Sequence, residues 1–211
     1  MRPGAAVTAP QQERSRVTRQ RLLETAVDCL AELGWAQSSV VVVAERAGVS
    51  RGAAQHHFPT RESLFTAALS HVAEARMADF RAEVAALPAD EHRTLIVLDL
   101  VSGIYRGPLF RAALQLWTAA AVDEDLRAQI VPLEATFARE VHRTTIDLLG
   151  LDEAEPGVRE SVQTSLDLAR GPGLADVLTD DSRRRREVLA HYAAMLDETL
   201  GAKATTRHTP V

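Results

Sequence analysis

Residues 43–58, VAERAGVSRGAAQHHF, constrain the fold of this 211-residue chain more than any other stretch, because they spell two short helices joined by one sharp turn. Ser38 and Ser39 stand at an N-cap position ahead of Val40, Val43, Ala44 and Ala47, which recur at helical spacing. Gly48 follows the last periodic residue, where a left-handed backbone turns the chain, and Ser50 can cap the next helix. This is helix-turn-helix punctuation. Four consecutive valines, Val40 to Val43, favour a strand by propensity, but closely flanking helices and the lack of any partner strand argue for a helix. On that helix Val40 and Val43 are expected in the core, with Val41 and Val42 more exposed.

On the second helix, Ala54 and Phe58 are four apart and can join Val49 in a small core. Arg51, Ala53, Gln55, His56 and His57 are left for the outer faces. Arginine can pair with guanine or phosphate, glutamine can read adenine with two hydrogen bonds, a small alanine admits a thymine methyl, and histidine can donate to phosphate. The competing reading is a helical hairpin with a merely solvated polar face.

The flanks favour DNA. Upstream, Leu22, Leu23, Ala26, Val27, Leu30 and Leu33 trace one apolar stripe over residues 16–33, and Gly34 supplies the stop. Downstream, Phe58-Pro59-Thr60 breaks the chain, and Thr60 or Ser63 caps a helix with Glu62 in its first turn. The runs TRQRLLETAVDCLAELGW and SSVVVVAERAGVSRGAAQHHFPTRESL, together with the AGVS turn and the HHF ending, closely resemble the TetR family of one-component transcriptional repressors over residues 18–69. Beyond Leu69 the resemblance lies in helical layout and length.

The resemblance implies an all-α chain of about nine helices, with a three-helix DNA-binding domain followed by an all-helical ligand-binding and dimerisation domain. It implies a homodimer on double-stranded DNA with a palindromic operator, released by a small apolar effector. Residues 50–57 would enter the major groove. Arg51, Ala53, Gln55 and His56 would read bases or backbone, with Ser50 and Gly52 among the contacts, and Ser39, His57, Thr60 and Arg61 would meet phosphates. Gln55 departs from the family, which usually places a phosphate-contacting tyrosine there. An all-helical ligand-binding or scaffolding protein without DNA binding is therefore the alternative.

The organisation expected is an arm at 1–15, a DNA-binding domain at 16–62, an effector-binding and dimerisation domain at 63–200 and a tail at 201–211. The net charge of −5 divides unevenly: residues 1–62 carry eight arginines against six acids, and the rest carries sixteen basic residues against twenty-three. That mild bias would bring the basic head to DNA first. Arg14, Arg16 and Arg19 can extend toward the minor groove, or simply be solvated. No secretory signal or bilayer-spanning run is visible, so the cytoplasm is the expected location and no membrane partner is expected. Cys29, the single cysteine, reads as a buried helix residue.

Downstream, a fourth helix is expected at about 60–87, followed by a break at Pro88-Ala89-Asp90. Further helices should end near Tyr105, run from Gly107-Pro108 to about Ala121, and run from a cap at Asp123 to Leu149 with a kink at Pro132. The last two are separated at Gly171-Pro172-Gly173. Leu100, Ile104, Tyr105, Phe110, Leu114, Trp117, Phe137 and Val141 are bulky candidates for the effector pocket that the family implies, with plain core the competing reading. Arg106 and His142 can orient a ligand carboxylate or hydroxyl. Leu168, Leu189, Tyr192 and Leu196 are the expected dimer contacts. The run Arg183 to Arg186 reads as solvated or paired with acids. No phosphate loop, nucleophile elbow or metal spacing is found, so neither enzyme activity nor a cofactor or metal is expected. His56 and His57 diverge by about 100° on a helix, and His71-x-x-Glu74 stands alone.

Overall fold

The computed structural model describes residues 8–85 and 93–206, and every regular element among them is an α-helix. In chain order these are α1 (Thr8–Gln37), α2 (Val40–Ala47), α3 (Arg51–His57), α4 (Arg61–Ala85), α5 (Arg93–Ile104), α6 (Gly107–Ala120), α7 (Glu124–Leu149), α8 (Val158–Ala175) and α9 (Ser182–Thr206). The expected all-α class and helix number are therefore found among the described residues. The break at Pro88-Ala89-Asp90 lies outside them, as do residues 1–7 of the arm and 207–211 of the tail.

Both ends carry more helix than expected. Residues 8–15 belong to α1, where Pro10 falls in the first turn and needs no intrahelical acceptor for an N–H. At the other end, α9 continues to Thr206. Gly34 does interrupt α1: its φ of 73° is non-helical, although the element resumes briefly to Gln37. Gln115 of α6 closes on that break, its Oε1 accepting from the Trp35 N–H at 3.4 Å.

Contacts divide the chain into two compact units. The first comprises the residues up to Ala75 with Gly107–Leu133, and the second Arg76–Arg106 with the residues from Glu134 onward. The first unit is thus larger than the 16–62 segment, because α6 and the start of α7 join the N-terminal core. Leu22, Leu23, Leu30, Val43, Ala44, Ala54, Leu64 and Phe65 are completely buried there together with Leu116 and Leu126. Each such leucine, valine or phenylalanine withdrawn from water contributes roughly 1.5–3 kcal/mol before entropy is counted. Val40 and Val42 both pack against this core. Cross-helix packing explains why four valines hold a helix against their strand propensity, and Val42 is more engaged than its expected exposure.

In the second unit Leu98 of α5 meets Leu189 and Ala193 of α9, with Leu95, Leu168 and Tyr192 against them. Ile146 of α7 packs on Val158 and Val162 of α8. The expected break at Gly171-Pro172-Gly173 is absent, since α8 runs through it to Ala175. Its reason is tertiary. A Cβ on Gly173 would lie 2.2 Å from the carbonyl oxygen of Tyr105, so only glycine lets α8 pass so close to the end of α5. Arg185 is buried in an ion pair with Asp176, while Arg183 pairs with Glu187 and Arg184 with Asp181, so the basic run is mostly neutralised locally.

Candidate nucleic-acid interface

The helix-turn-helix is assembled from caps that are visible in the sequence. Ser39 is the N-cap of α2, its hydroxyl accepting from the Val42 N–H at 3.2 Å. Gly48 ends α2 with φ 63° and ψ 36°, and the next residue, Val49, donates its N–H to the Ala44 carbonyl at 2.9 Å. This closes the helix in a left-handed turn. Ser50 then caps α3 by accepting from the Ala53 N–H at 3.3 Å. Ser38, almost fully buried, reaches the Gly34 and Cys29 carbonyls with its hydroxyl at 2.8 and 3.1 Å. Arg21 of α1 donates to the Ala47 carbonyl at 2.5 Å, bracing the end of α2 immediately before the turn.

With Ala54 and Phe58 buried, the rest of α3 is presented outward. Arg51, Gly52, Gln55 and His56 are exposed, Ala53 and His57 are half-buried, and Ser50 is exposed at the helix start. A side chain at Gly52 would meet nothing within 4 Å, so the backbone there is open to close approach. Arg51 is held by Glu45 of α2, with Nη2 3.0 Å from the carboxylate. Sequence spacing does not reveal this pair, because its partners sit across the turn and not on one helical face. Arg19 of α1 lies 5.4 Å from the centroid of the Phe58 ring. His57 is pushed below the ordinary imidazole pKa, first by burial and then by the nearby charges of His56 and Arg19.

Thr60 and Ser63 cap the start of α4 reciprocally. The Ser63 N–H donates to Thr60 Oγ1 at 3.1 Å, and the Thr60 N–H donates to Ser63 Oγ at 3.3 Å. Arg61, expected on phosphate, stacks on Trp35 in the free chain, its guanidinium carbon 3.6 Å from the ring centroid. Its Nε and Nη2 are buried without hydrogen-bond partners, and burial pushes its pKa down. The stacking offers an aromatic face in place of an anion. Trp35 also meets Phe65 edge to face at 5.6 Å, so Arg61 belongs to a packed aromatic group.

The other candidates are distributed between the two units. Phe110, Leu114 and Trp117 lie in the first, where Phe110 and Trp117 stack edge to face at 6.1 Å. Leu100, Ile104, Tyr105, Phe137 and Val141 lie in the second, with Ile104, Tyr105 and Val141 buried. His142 Nε2 is 3.2 Å from Glu153 Oε1, which engages it with its own chain. The expected dimer contacts divide into two pairs. Leu189 and Leu196 are 1% and 3% exposed within the single chain, and Leu168 and Tyr192 pack on the Leu98–Leu189 cluster. Tyr192 further donates its hydroxyl to the Ser161 carbonyl at 3.1 Å. Leu189 and Leu196 therefore belong to an internal seam of the protomer, while Leu168 and Tyr192 stay half-buried. No described helix is long and apolar enough to cross a membrane.

Comparison with known proteins agrees with this architecture. The profile of the bacterial regulatory proteins, tetR family, matches residues 22–68, which span the second half of α1, the helix-turn-helix and the start of α4. An uncharacterised HTH-type transcriptional regulator of Mycobacterium tuberculosis is 30% identical over 142 residues, covering 67% of this chain and 73% of that one. The HTH-type transcriptional repressor AcnR of Corynebacterium glutamicum is 30% identical over 176 residues, covering 73% of this chain and 91% of its own. Among solved structures, a TetR-family transcriptional regulator from Rhodococcus sp. superposes with a TM-score of 0.65 at 21% identity, over 85% of this chain and 98% of the other. A transcriptional regulator from Saccharomonospora viridis in complex with choline gives 0.66 at 18% identity, over 84% and 95%. The structural likenesses establish the fold, and the sequence relatives establish the lineage: this chain belongs to the TetR family of transcriptional regulators.

Proposed function

We propose that the protein is a homodimeric repressor that sets α3 of each protomer into the major groove of a palindromic operator and is released by a small-molecule effector. The observation that carries this reading is the outer face of α3. Its inner residues are buried, its start is capped by Ser50, and Arg51, Gln55 and His56 stand exposed together with the open backbone at Gly52. In this reading Arg51, Ala53, Gln55 and His56 read bases or backbone. Ser39, Ser50, His57 and Thr60 meet phosphates, and Arg61 acts through its stacking on Trp35. Gln55 reads or bridges at the position where the family resemblance implies a tyrosine.

Dimerisation is assigned to the faces of α8 and α9 that the protomer core leaves open. On α8 these are Gln163, Thr164 and Asp167; on α9 they are Ala190, His191, Ala194 and Met195. Small residues at 190 and 194 admit close helix approach. The choline complex of the Saccharomonospora viridis regulator supports a small-molecule ligand for the present chain too. Release requires that the ligand bind the DNA-incompetent state more tightly than the competent one.

The reading is tested by selecting bound sequences from random duplexes and measuring affinity against salt. A symmetric preferred site is expected, with affinity falling as salt rises through release of counterions from several phosphate contacts. Absence of any sequence preference would remove the operator assignment.

A further inference from the structure

Gly103 lies in the last turn of α5, with no turn and no left-handed backbone to require it. Glycine at such a position lowers helix stability relative to alanine, and it leaves open a space that a Cβ would fill at ordinary van der Waals distances. Two guanidinium groups occupy the edge of that space. A Cβ at position 103 would lie 3.4 Å from Arg106 Nη2 and 3.6 Å from Arg76 Nη2. All three residues belong to the second unit. Two like charges converge over one backbone point, and only one has a carboxylate: Arg76 Nη1 lies 3.1 Å from Glu83, while Arg106 has no acidic partner among the described residues. The Arg76 side chain is 32% exposed, so the pair is partly withdrawn from the water that would otherwise screen its repulsion. The adjacent Ser102 is completely buried, and its hydroxyl has no hydrogen-bond partner among the described residues.

We infer that Arg76 and Arg106 together bind an oxyanion of a small molecule over Gly103. A planar guanidinium presents paired N–H donors that match carboxylate and phosphoryl oxygens, and two of them facing one point are satisfied by a single shared anion. Arg76 keeps Nη1 on Glu83 and offers Nη2; Arg106 offers its whole fork. The inference rests on the ligand-responsive reading above and gives the effector a chemical class: an organic acid that carries a carboxylate or phosphoryl group. The complementary possibility, that the arginines only neutralise the carbonyl end of α5, predicts no binding of free anions.

The test is isothermal calorimetry on the full chain without DNA, at constant ionic strength, with benzoate, phenyl phosphate, inorganic phosphate and uncharged benzamide as titrants. Saturable binding at millimolar concentration is expected for benzoate or phenyl phosphate and not for benzamide. Comparison with inorganic phosphate shows which oxyanion is preferred and whether the phenyl group contributes. Arg106→Gln and Arg76→Gln should each weaken binding by roughly ten- to a hundredfold, the loss expected for a charge-assisted hydrogen bond. Gly103→Ala, whose methyl meets only the mobile ends of arginines, should keep the fold and weaken binding. Glu83→Gln should tighten it by removing a competing carboxylate. No saturable binding of any anion, or binding undiminished in folded Arg106→Gln and Gly103→Ala, would overturn the assignment. Because no DNA is present, either result leaves the operator reading to its own experiment.

Discussion

Arg51 begins α3 already engaged, and any DNA contact it makes must compete with Glu45 across the turn. The pair is largely exposed on both sides, so its own contribution to stability is at most about 1 kcal/mol. Its consequence lies in binding. Glu45→Gln should leave the thermal midpoint almost unchanged while tightening DNA binding and steepening its salt dependence, since a guanidinium is released and a negative charge is removed from the face. Arg51→Ala should lose about 1–3 kcal/mol more on the preferred sequence than on a mismatched one if the side chain reads a base. Fluorescence anisotropy on matched and mismatched duplexes separates these effects. His57 gives a pH signature. Its pKa in the free protein is lowered by burial and by His56 and Arg19, and a phosphate would raise it in the complex. The added affinity is then complete below the free-protein value and disappears as pH rises through the value in the complex. Folding has the opposite dependence at this residue, because the unfolded chain binds the proton more readily and stability falls as pH drops below the ordinary imidazole value. Operator affinity at about pH 5.5 and about pH 8 should differ less for His57→Gln than for the parent; an equal difference would take His57 off the phosphate.

At the scale of elements, two arrangements invite substitutions whose effects part company. Arg61→Ala removes the stack on Trp35, which should cost about 1–2 kcal/mol of stability for a partly desolvated cation–π contact and shift the tryptophan emission. If Arg61 also reached phosphate, the slope of log affinity against log salt would fall by roughly 1; an unchanged slope with lowered stability is the expected result. Gly173→Ala forces a methyl against the Tyr105 carbonyl oxygen and should cost about 1–3 kcal/mol or more through overpacking. Gly171→Ala has open space around it and should change stability by less than about 1 kcal/mol, the helix preference of alanine being offset by the proline that follows. Thermal unfolding monitored by circular dichroism measures all three. These elements also show what a sequence discloses. The caps at Ser39, Gly48, Ser50 and Asp123 were legible because each acts on backbone within a few residues, as the bond from Leu126 N–H to Asp123 Oδ1 at 3.0 Å illustrates. The continuity of α8 through Pro172 was not legible. It depends on contact with Tyr105, far away in sequence, and local propensity points the other way. The stack of Arg61 on Trp35 was hidden for a related reason, since a basic residue at a helix start says nothing of an indole on another helix.

For the whole molecule, the question is which apolar stripes serve folding and which serve association. Periodicity cannot separate them, because a helix that packs on its own chain and one that packs on a second copy bury the same pattern. The structure does separate them for Leu189 and Leu196, which are already buried within one protomer. Leu189→Glu should therefore unfold the chain, as an unpaired charge in the Leu98–Ala193 cluster would demand. Substitutions on the open faces of α8 and α9 should behave differently. Ala194→Arg and Met195→Glu alter residues that are exposed in the single chain, so the protomer should keep its helicity and its thermal transition. If these faces form the dimer, the variants should sediment as monomers. Operator affinity should then fall sharply, because two recognition helices bound as one unit gain from effective concentration what a single one lacks. Sedimentation velocity, circular dichroism and operator titration on the three variants resolve the matter together. A folded dimer with unchanged affinity in both Ala194→Arg and Met195→Glu would place the interface on another surface. A folded Leu189→Glu monomer would restore that leucine to the interface and contradict its place in the core.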